Sequence, residues 1–466
     1  MLEFLQNYGV VIAFYLAVIL LVYFNRKKFQ FEGKIIAMYK TKLGIEQMKK
    51  LSTPLKEPYN TIGKYVFYAS LSLTLLAGVA LFVNSLAEFL SAALLSLAAW
   101  VFIASFLALL SSIIIFRRMK EGGVLGIYVG FMGMFFIIYL VFFGLYQLLF
   151  RPDADPLFTP VLPGISIPGS PITLPLVEGL IALFVVIVVH EFSHGVVSKA
   201  YKIPIKSSGL VMLGPIPGAF VEPDEKKLQK SSRKTQLSIF AAGPFSNVLL
   251  ALLVMMIILG AGIITTNMYE SSGVLITGFP DETKNLPGGR LEMLEKGEVI
   301  TSVNNEQVNS VFDLVTVLQN ASPGDTVLLQ TNLGEKEMVL DSHPNNESLP
   351  YIGINLGHQI TPRQEAGFVF PDWAKNAWLW FFGNPFGLTF NQTLGLFGWI
   401  FVLSLGIGIV NLLPAGPVDG GKMYLLVLEK HFKKPVAKRI WMRTFQLILI
   451  IVAVLILTPI FRALFF

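Results

Sequence analysis

Long apolar runs divide this chain at fairly regular intervals. They lie near residues 8–24, 65–84, 89–116, 124–150, 174–198, 236–265, 392–413 and 440–462. Most match the roughly 20 residues that a helix needs to cross the hydrocarbon of a bilayer, so the pattern predicts about eight spans. A shorter apolar stretch around 376–390 predicts an interfacial or re-entrant segment. Between the sixth and seventh runs the pattern changes. Residues 267–375 gain Asp, Glu, Lys, Asn and Gly, and short alternating runs at 273–279, 299–303 and 326–330 predict strands, with a helix over 310–320. Residues 206–222 are apolar but interrupted by Gly209, Gly214, Pro215, Pro217 and Gly218. That excludes a clean span and predicts an extended hairpin dipping into the membrane.

Composition supports this reading. Of 466 residues, 54% are hydrophobic and 14% charged, with a mean hydropathy of +0.64, which excludes a soluble globular enzyme. The formal charge of +6 gathers in loops: Arg26 to Lys64, Arg117 to Lys120, Lys226 to Lys234, and Lys430 to Arg443. With eight spans all four clusters fall on one side, a membrane-topology signal rather than a nucleic-acid footprint. That side is cytoplasmic, so the N-terminus and residues 267–375 are expected outside the cell membrane. Met1-Leu2-Glu3 has no basic leader and the first run ends in Arg26-Lys27-Lys28, so it reads as a retained anchor. There is no Cys, which rules out disulfides and thiolate metal sites. The expected domains are an N-terminal membrane domain over 1–150 with four spans, the first half of a membrane core over 151–266, an outer module over 267–360, and the second half of the core over 361–466.

The chemistry lies in the fifth run, which contains His190-Glu191-Phe192-Ser193-His194. Histidines four apart share a helix face and can hold one Zn²⁺, with Glu191 as a candidate general base. A charged side chain at the centre of a spanning helix costs roughly 2.5–3.5 kcal/mol on insertion scales, and a bound metal is an economical compensation. A third ligand is available at Asp419, where the run ending in Asn411-Leu-Leu-Pro-Ala-Gly-Pro-Val-Asp-Gly-Gly421 is broken by Pro and Gly. Irregular backbone at membrane depth is tolerated only where it lines protein or a water-filled cavity. The topology count puts Asp419 level with His190 and His194, towards the cytoplasmic side. Glu429, the rival carboxylate, lies beside Lys430 and His431 in what reads as a solvated basic loop.

Three motifs together resemble the site-2 protease family of intramembrane zinc metalloproteases: His190-Glu-Phe-Ser-His194, Phe240-Ala-Ala-Gly-Pro-Phe-Ser-Asn247, and Asn411 to Gly420. Within the outer module, Gly297 to Asn305 followed by Gln307-Val308 and the helical Phe312 to Leu318 resembles a PDZ domain over about 270–358. The implied fold is an α-helical polytopic membrane protein of about eight spans, with an inserted small α/β PDZ-like domain and a re-entrant β segment. The resemblance implies a Zn²⁺-dependent metalloendopeptidase with His190, His194 and Asp419 as metal ligands and Glu191 as catalytic base. It also implies substrate-binding roles for Asn247 and Asn411, transmembrane protein substrates within the lipid bilayer, and regulated intramembrane proteolysis. Val418 and Lys422 depart from the usual Leu and His without removing a ligand, and the first four spans lie outside the shared core. Two other readings remain open: a prenyl-protein protease, which requires Glu as third ligand, and a non-catalytic scaffold that recruits partners through its PDZ-like domain.

Overall fold

Helices that are apolar around their whole circumference must be covered by lipid or by one another, because no polar face is left for water. The computed structural model describes residues 2–32, 36–87, 92–151, 156–214, 216–279, 294–343, 346–363, 369–384 and 394–465. Six of its helices are long and apolar enough to cross a membrane: Tyr59–Val83, Leu97–Ile114, Met119–Phe150, Leu176–Ala200, Arg233–Met268 and Lys434–Phe465. Shorter apolar helices, Gly9–Phe24 and Leu396–Val410, stand where the first and last-but-one runs predicted spans. The 15 residues of Leu396–Val410 reach about 22 Å, short of the roughly 30 Å of a full crossing, because the chain breaks at Asn411. Many side chains on these helices face outward, among them Met132, Phe135 and Leu76.

The chain forms two compact units, Met1–Met256 with Trp399–Phe466, and Ile257–Gly398. In the first, helices α1 (Leu2–Phe24), α2 (Ile45–Ser52), α3 (Tyr59–Ala87), α4 (Ala92–Ile114) and α5 (Met119–Phe150) precede α6 (Leu176–Ala200), which carries the His-Glu motif. After α6 come α7 (Glu225–Gln229) and α8 (Arg233–Met268), of which the part from Ile257 onward belongs to the second unit. Met48 of α2, Phe67 of α3, Leu109 of α4, Met119 of α5, Val196 of α6 and Phe245 of α8 share one buried cluster. The leading helices therefore brace the motif helix. Gly195, next to His194, lets α2 approach, since a Cβ there would lie 2.4 Å from Met48 Sδ.

The interrupted segment is a hairpin of β3 (Ile205–Leu213) and β4 (Ile216–Pro223). It belongs to a larger sheet than the pattern predicts. The Arg26–Lys64 stretch, read as a plain basic loop, supplies β1 (Gln30–Glu32) and β2 (Ile36–Thr41) as well as α2. The sheet runs β1-β2-β3-β4 with every pair antiparallel, leaving β4 at an edge. Two strands of three and six residues set among lysines are too short for alternation to register.

The second unit holds β5 (Tyr269–Gly278), β6 (Val299–Val303), β7 (Glu306–Gln307), β8 (Thr326–Thr331), β9 (Gly334–Val339), a hairpin of β10 (Asp341–His343) and β11 (Asn346–Tyr351), and β12 (Asn355–Pro362). Its main sheet is ordered β12-β5-β6-β8-β9, with β7 on β6. Helix α9 (Val311–Leu318) begins with a capping box in which Ser310 and Asp313 bond each other's backbone N–H groups. Val274, Ile276, Ile300, Val303, Leu314 and Leu329 form its core. Helix α10 (Asp372–Phe382) covers the start of the stretch predicted at 376–390, and residues 385–390 of that stretch lie outside the described residues.

Helix α11 (Leu396–Val410), which belongs to the first unit from Trp399 onward, leads through a broken turn to α12 (Asp419–His431) and α13 (Lys434–Phe465). Glu429 and His431, read as part of a basic loop, lie at the end of α12 instead. Gly420 and Gly421 look like helix breakers but sit at the helix start, where their missing side chains let the backbone pack closely.

Candidate metal centre

His190 and His194 lie on the buried face of α6, one turn apart, while Asp419 is the first residue of α12. Asp419 Oδ2 is 3.1 Å from His190 Nε2 and 3.2 Å from His194 Nε2. The three ligand atoms lie within 4.8 Å of one another, and all three residues are buried. Donor atoms 2.0–2.1 Å from a shared zinc at a tetrahedral angle would stand about 3.3 Å apart, so the spacing suits one ion.

The surroundings fit a metal as well. His194 Nδ1 is 2.7 Å from the Ile239 carbonyl, which can only accept, so Nδ1 carries the proton and Nε2 is left as a ligand lone pair. His190 Nδ1 is 3.2 Å from the Asn247 side-chain amide, whose Oδ1 is otherwise buried without a partner. Turned over, that amide accepts the Nδ1 proton and leaves His190 Nε2 in the same state. Gly243 of α8 faces both rings. A Cβ there would lie 2.4 Å from His194 Nε2 and 2.5 Å from His190 Nε2, so only glycine keeps that space open.

Tight backbone packing positions Asp419. The Gly420 N–H donates to the Asn411 carbonyl at 2.8 Å, and a Cβ at Gly420 would meet the Leu412 carbonyl at 2.3 Å. At Gly421 a Cβ would lie 2.4 Å from the Gly416 carbonyl oxygen. The Asp-Gly-Gly pattern thus lets a helix start press against the turn before it. Lys422 Nζ lies 3.6 Å from Asp419 Oδ1.

Glu191 is half-buried beside the histidines, and its Oε2 accepts from the Val221 N–H at 3.1 Å. Val221 is in the edge strand β4, so the carboxylate and the strand edge meet at the site. Glu222, next along, is tied by the Ser207 hydroxyl and by Lys40 Nζ at 2.9 Å, which together hold its carboxyl below the ordinary range. A cavity of about 510 Å³ opens onto His190, Glu191, His194, Asp419, Val221 and Asn411. Asn411 is on its wall, with Nδ2 donating to the Ile407 carbonyl at 3.0 Å. Asn247, expected to bind substrate, is fully buried and is not among the residues lining this cavity, and its side-chain amide meets the His190 ring. Val221, Ile239 and Gly243 were missed by sequence reasoning because two of them act through backbone atoms. Gly243, inside the Ala-Gly-Pro motif, was the one visible signal.

A buried His-His-carboxylate cluster with an adjacent Glu and a strand edge has the donor set of a metallohydrolase. The model of peptidase family M50 matches residues 178–346 and 383–455, just over half of the chain, and the chain belongs to that family. It is 25% identical over 248 residues to an uncharacterized protein of Methanocaldococcus jannaschii, covering 53% of this chain and 56% of that protein. It is 26% identical over 243 residues to the zinc metalloprotease RasP of Shouchella clausii, covering 44% and 53% respectively. The chain thus spans about half the length of these curated relatives. The PDZ domain of an SdrC-like protein of Listeria monocytogenes matches 18% of this chain and 87% of its own, at 22% identity and a TM-score of 0.16.

Proposed function

We propose that the chain is a zinc-dependent intramembrane endopeptidase of the site-2 protease type, with His190, His194 and Asp419 as ligands and Glu191 as general base. The convergence of these three ligands beside Glu191 carries the reading. When bound, the metal supplies Lewis-acid polarisation of the scissile carbonyl and acidification of water. Glu191 takes the proton of the attacking water as the C–O bond forms, then delivers it to the amide nitrogen as the C–N bond breaks. Asn247 acts as a positioning residue that holds the His190 ring, and Asn411 contacts the substrate from the cavity wall. A spanning helix has its amides internally bonded, so the substrate is unwound before cleavage and docks as an extended strand along the edge of β4.

The substrates on this reading are transmembrane proteins cut within the bilayer, as in regulated intramembrane proteolysis. The site faces the cytoplasmic side of the cell membrane, and the PDZ-like module lies outside, where it screens substrates for removal of their outer domains. Asp rather than Glu at the third position argues against a prenyl-protein protease. A scaffold role leaves the buried convergence of ligands without purpose.

Metal analysis coupled to a cleavage assay in detergent tests the proposal. Wild type should hold one zinc per chain and cut a reconstituted transmembrane substrate. Glu191→Gln should keep the zinc and lose about 10²–10⁴-fold in rate. Cleavage by Glu191→Gln at the wild-type rate, or a wild type indifferent to chelation, would refute it.

A further inference from the structure

A second cavity, of about 730 Å³, lies outside the metal centre, where α3, α5 and the start of α8 come together. Its two ends differ chemically. One end presents Lys120, Lys234, the hydroxyls of Ser232 and Thr235, and Tyr201. Lys120 Nζ sits 5.6 Å over the Tyr201 ring. Among the described residues neither lysine is shown with a carboxylate partner. The one carboxylate on the wall, Glu121, is tied to Arg118 at 3.1 Å. The other end is an apolar trough including Leu71, Leu75, Val129 and Met132. Leu75 is 60% and Met132 72% exposed, as expected of walls that open sideways towards lipid.

The dimensions suit one kind of occupant. From Lys120 to Met132 the trough follows α5 for about 18 Å, against about 15 Å for the hydrocarbon depth of one leaflet. The charged end coincides with the basic stretches Arg117–Lys120 and Lys226–Lys234, which the positive-inside pattern sets at the level of the headgroups. A transmembrane helix of a partner would fill the trough, but acidic residues are rare within spanning segments, so it is poorly suited to meet the two lysines. A soluble phosphate would satisfy the lysines and leave the trough empty. We propose that this cavity binds an anionic phospholipid, its phosphate between Lys120 and Lys234 and an acyl chain along α5. Thr235 lines this cavity while Gln236 lines the metal-centre cavity, so the lipid grips the first turn of the helix that also carries Gly243 and Asn247.

The test uses the full chain, purified in detergent, delipidated and titrated with phosphatidylglycerol or phosphatidylcholine, with bound lipid read by native mass spectrometry. Wild type should retain phosphatidylglycerol in preference. Lys120→Gln with Lys234→Gln should weaken that binding about 25-fold, roughly five-fold for each lysine near a membrane surface. Lys120→Arg with Lys234→Arg should restore it, and Lys438→Gln with Arg439→Gln, a control in another basic segment, should leave it unchanged. If the double glutamine variant does not fold, Lys234→Gln alone should show the five-fold loss. The proposal falls if the double variant keeps the wild-type preference or the control pair loses as much. It also falls if inorganic phosphate displaces the lipid at equal concentration, or if a photo-crosslinker at Met132 captures a protein helix instead of lipid. None of these outcomes depends on whether the metal centre cleaves peptides.

Discussion

Replacing Gly243 with alanine puts one methyl group into the space where the metal ligands converge. The added Cβ would lie 2.4 Å from His194 Nε2 and 2.5 Å from His190 Nε2, whereas ordinary contact starts at 3.4 Å. Each ring must therefore retreat by about 1 Å, half of the 2.0–2.1 Å zinc–nitrogen bond. The His194 ring is held from behind by the Ile239 carbonyl and the His190 ring by Asn247, so neither can yield without losing its orienting hydrogen bond. Disturbing such outer partners costs about 10–100-fold in metal affinity, and moving two ligands together places Gly243→Ala at the upper end, about 100-fold or ~2.7 kcal/mol. Helix propensity acts the other way, since alanine favours a helix over glycine by about 1 kcal/mol, so the fold itself should survive. Zinc stoichiometry would be measured across buffered zinc concentrations, and Tm with and without chelator. Gly243→Ala should bind zinc about 100-fold more weakly and lose the chelator-sensitive part of its Tm. Gly260→Ala, on the same helix with nothing within 4 Å of the added Cβ, should match wild type. A Gly243→Ala protein that binds zinc within three-fold of wild type would refute the metal assignment of this space.

Gly420→Ala should also deplete zinc, because the added Cβ meets the Leu412 and Leu413 carbonyls rather than a movable side chain, and overpacking of this kind costs about 1–3 kcal/mol in a melting experiment. Ser310→Ala removes the capping box of α9 and should lower the local stability of residues 311–318 by about 1 kcal/mol in hydrogen exchange, leaving zinc content unchanged. Burial pushes the Glu298 carboxyl up, but Lys336 Nζ at 2.6 Å and the Thr331 hydroxyl outweigh it, so its pKa stands below the ordinary range. A depressed carboxylate contributes stability above its unfolded pKa of about 4.3 and loses it as pH falls through the folded value. Exchange protection of β6 and β8 should therefore hold at neutral pH and fall under acid. Lys336→Met should cost about 3 kcal/mol at neutral pH by leaving the carboxylate buried and unpaired, and a variant as stable as wild type there would show the pair to be idle.

The sequence by itself determined what depends on local pattern. Apolar run length located the six long helices, because spanning a bilayer demands a fixed length of unbroken hydrophobic chain. Histidines at four-residue spacing placed two candidate ligands on one helix face, and Pro and Gly interruptions marked both the hairpin at 206–222 and the broken turn before Asp419. Strand alternation and the helical stretch at 310–320 located β5, β6, β8 and α9 of the inserted module, while β7 and β9 to β12 passed unread among polar residues. Only the tertiary structure decided which distant groups meet. Asp419 reaches the histidines across 225 residues of chain because Gly420 and Gly421 allow backbone contact, a fact about three-dimensional approach that spacing along the chain does not carry. The union of β1 and β2 with the hairpin, the Val221 N–H on Glu191, and the Ile239 carbonyl on His194 all run through backbone atoms. Backbone groups are the same at every residue, so side-chain identity leaves no trace of them until the fold brings them together.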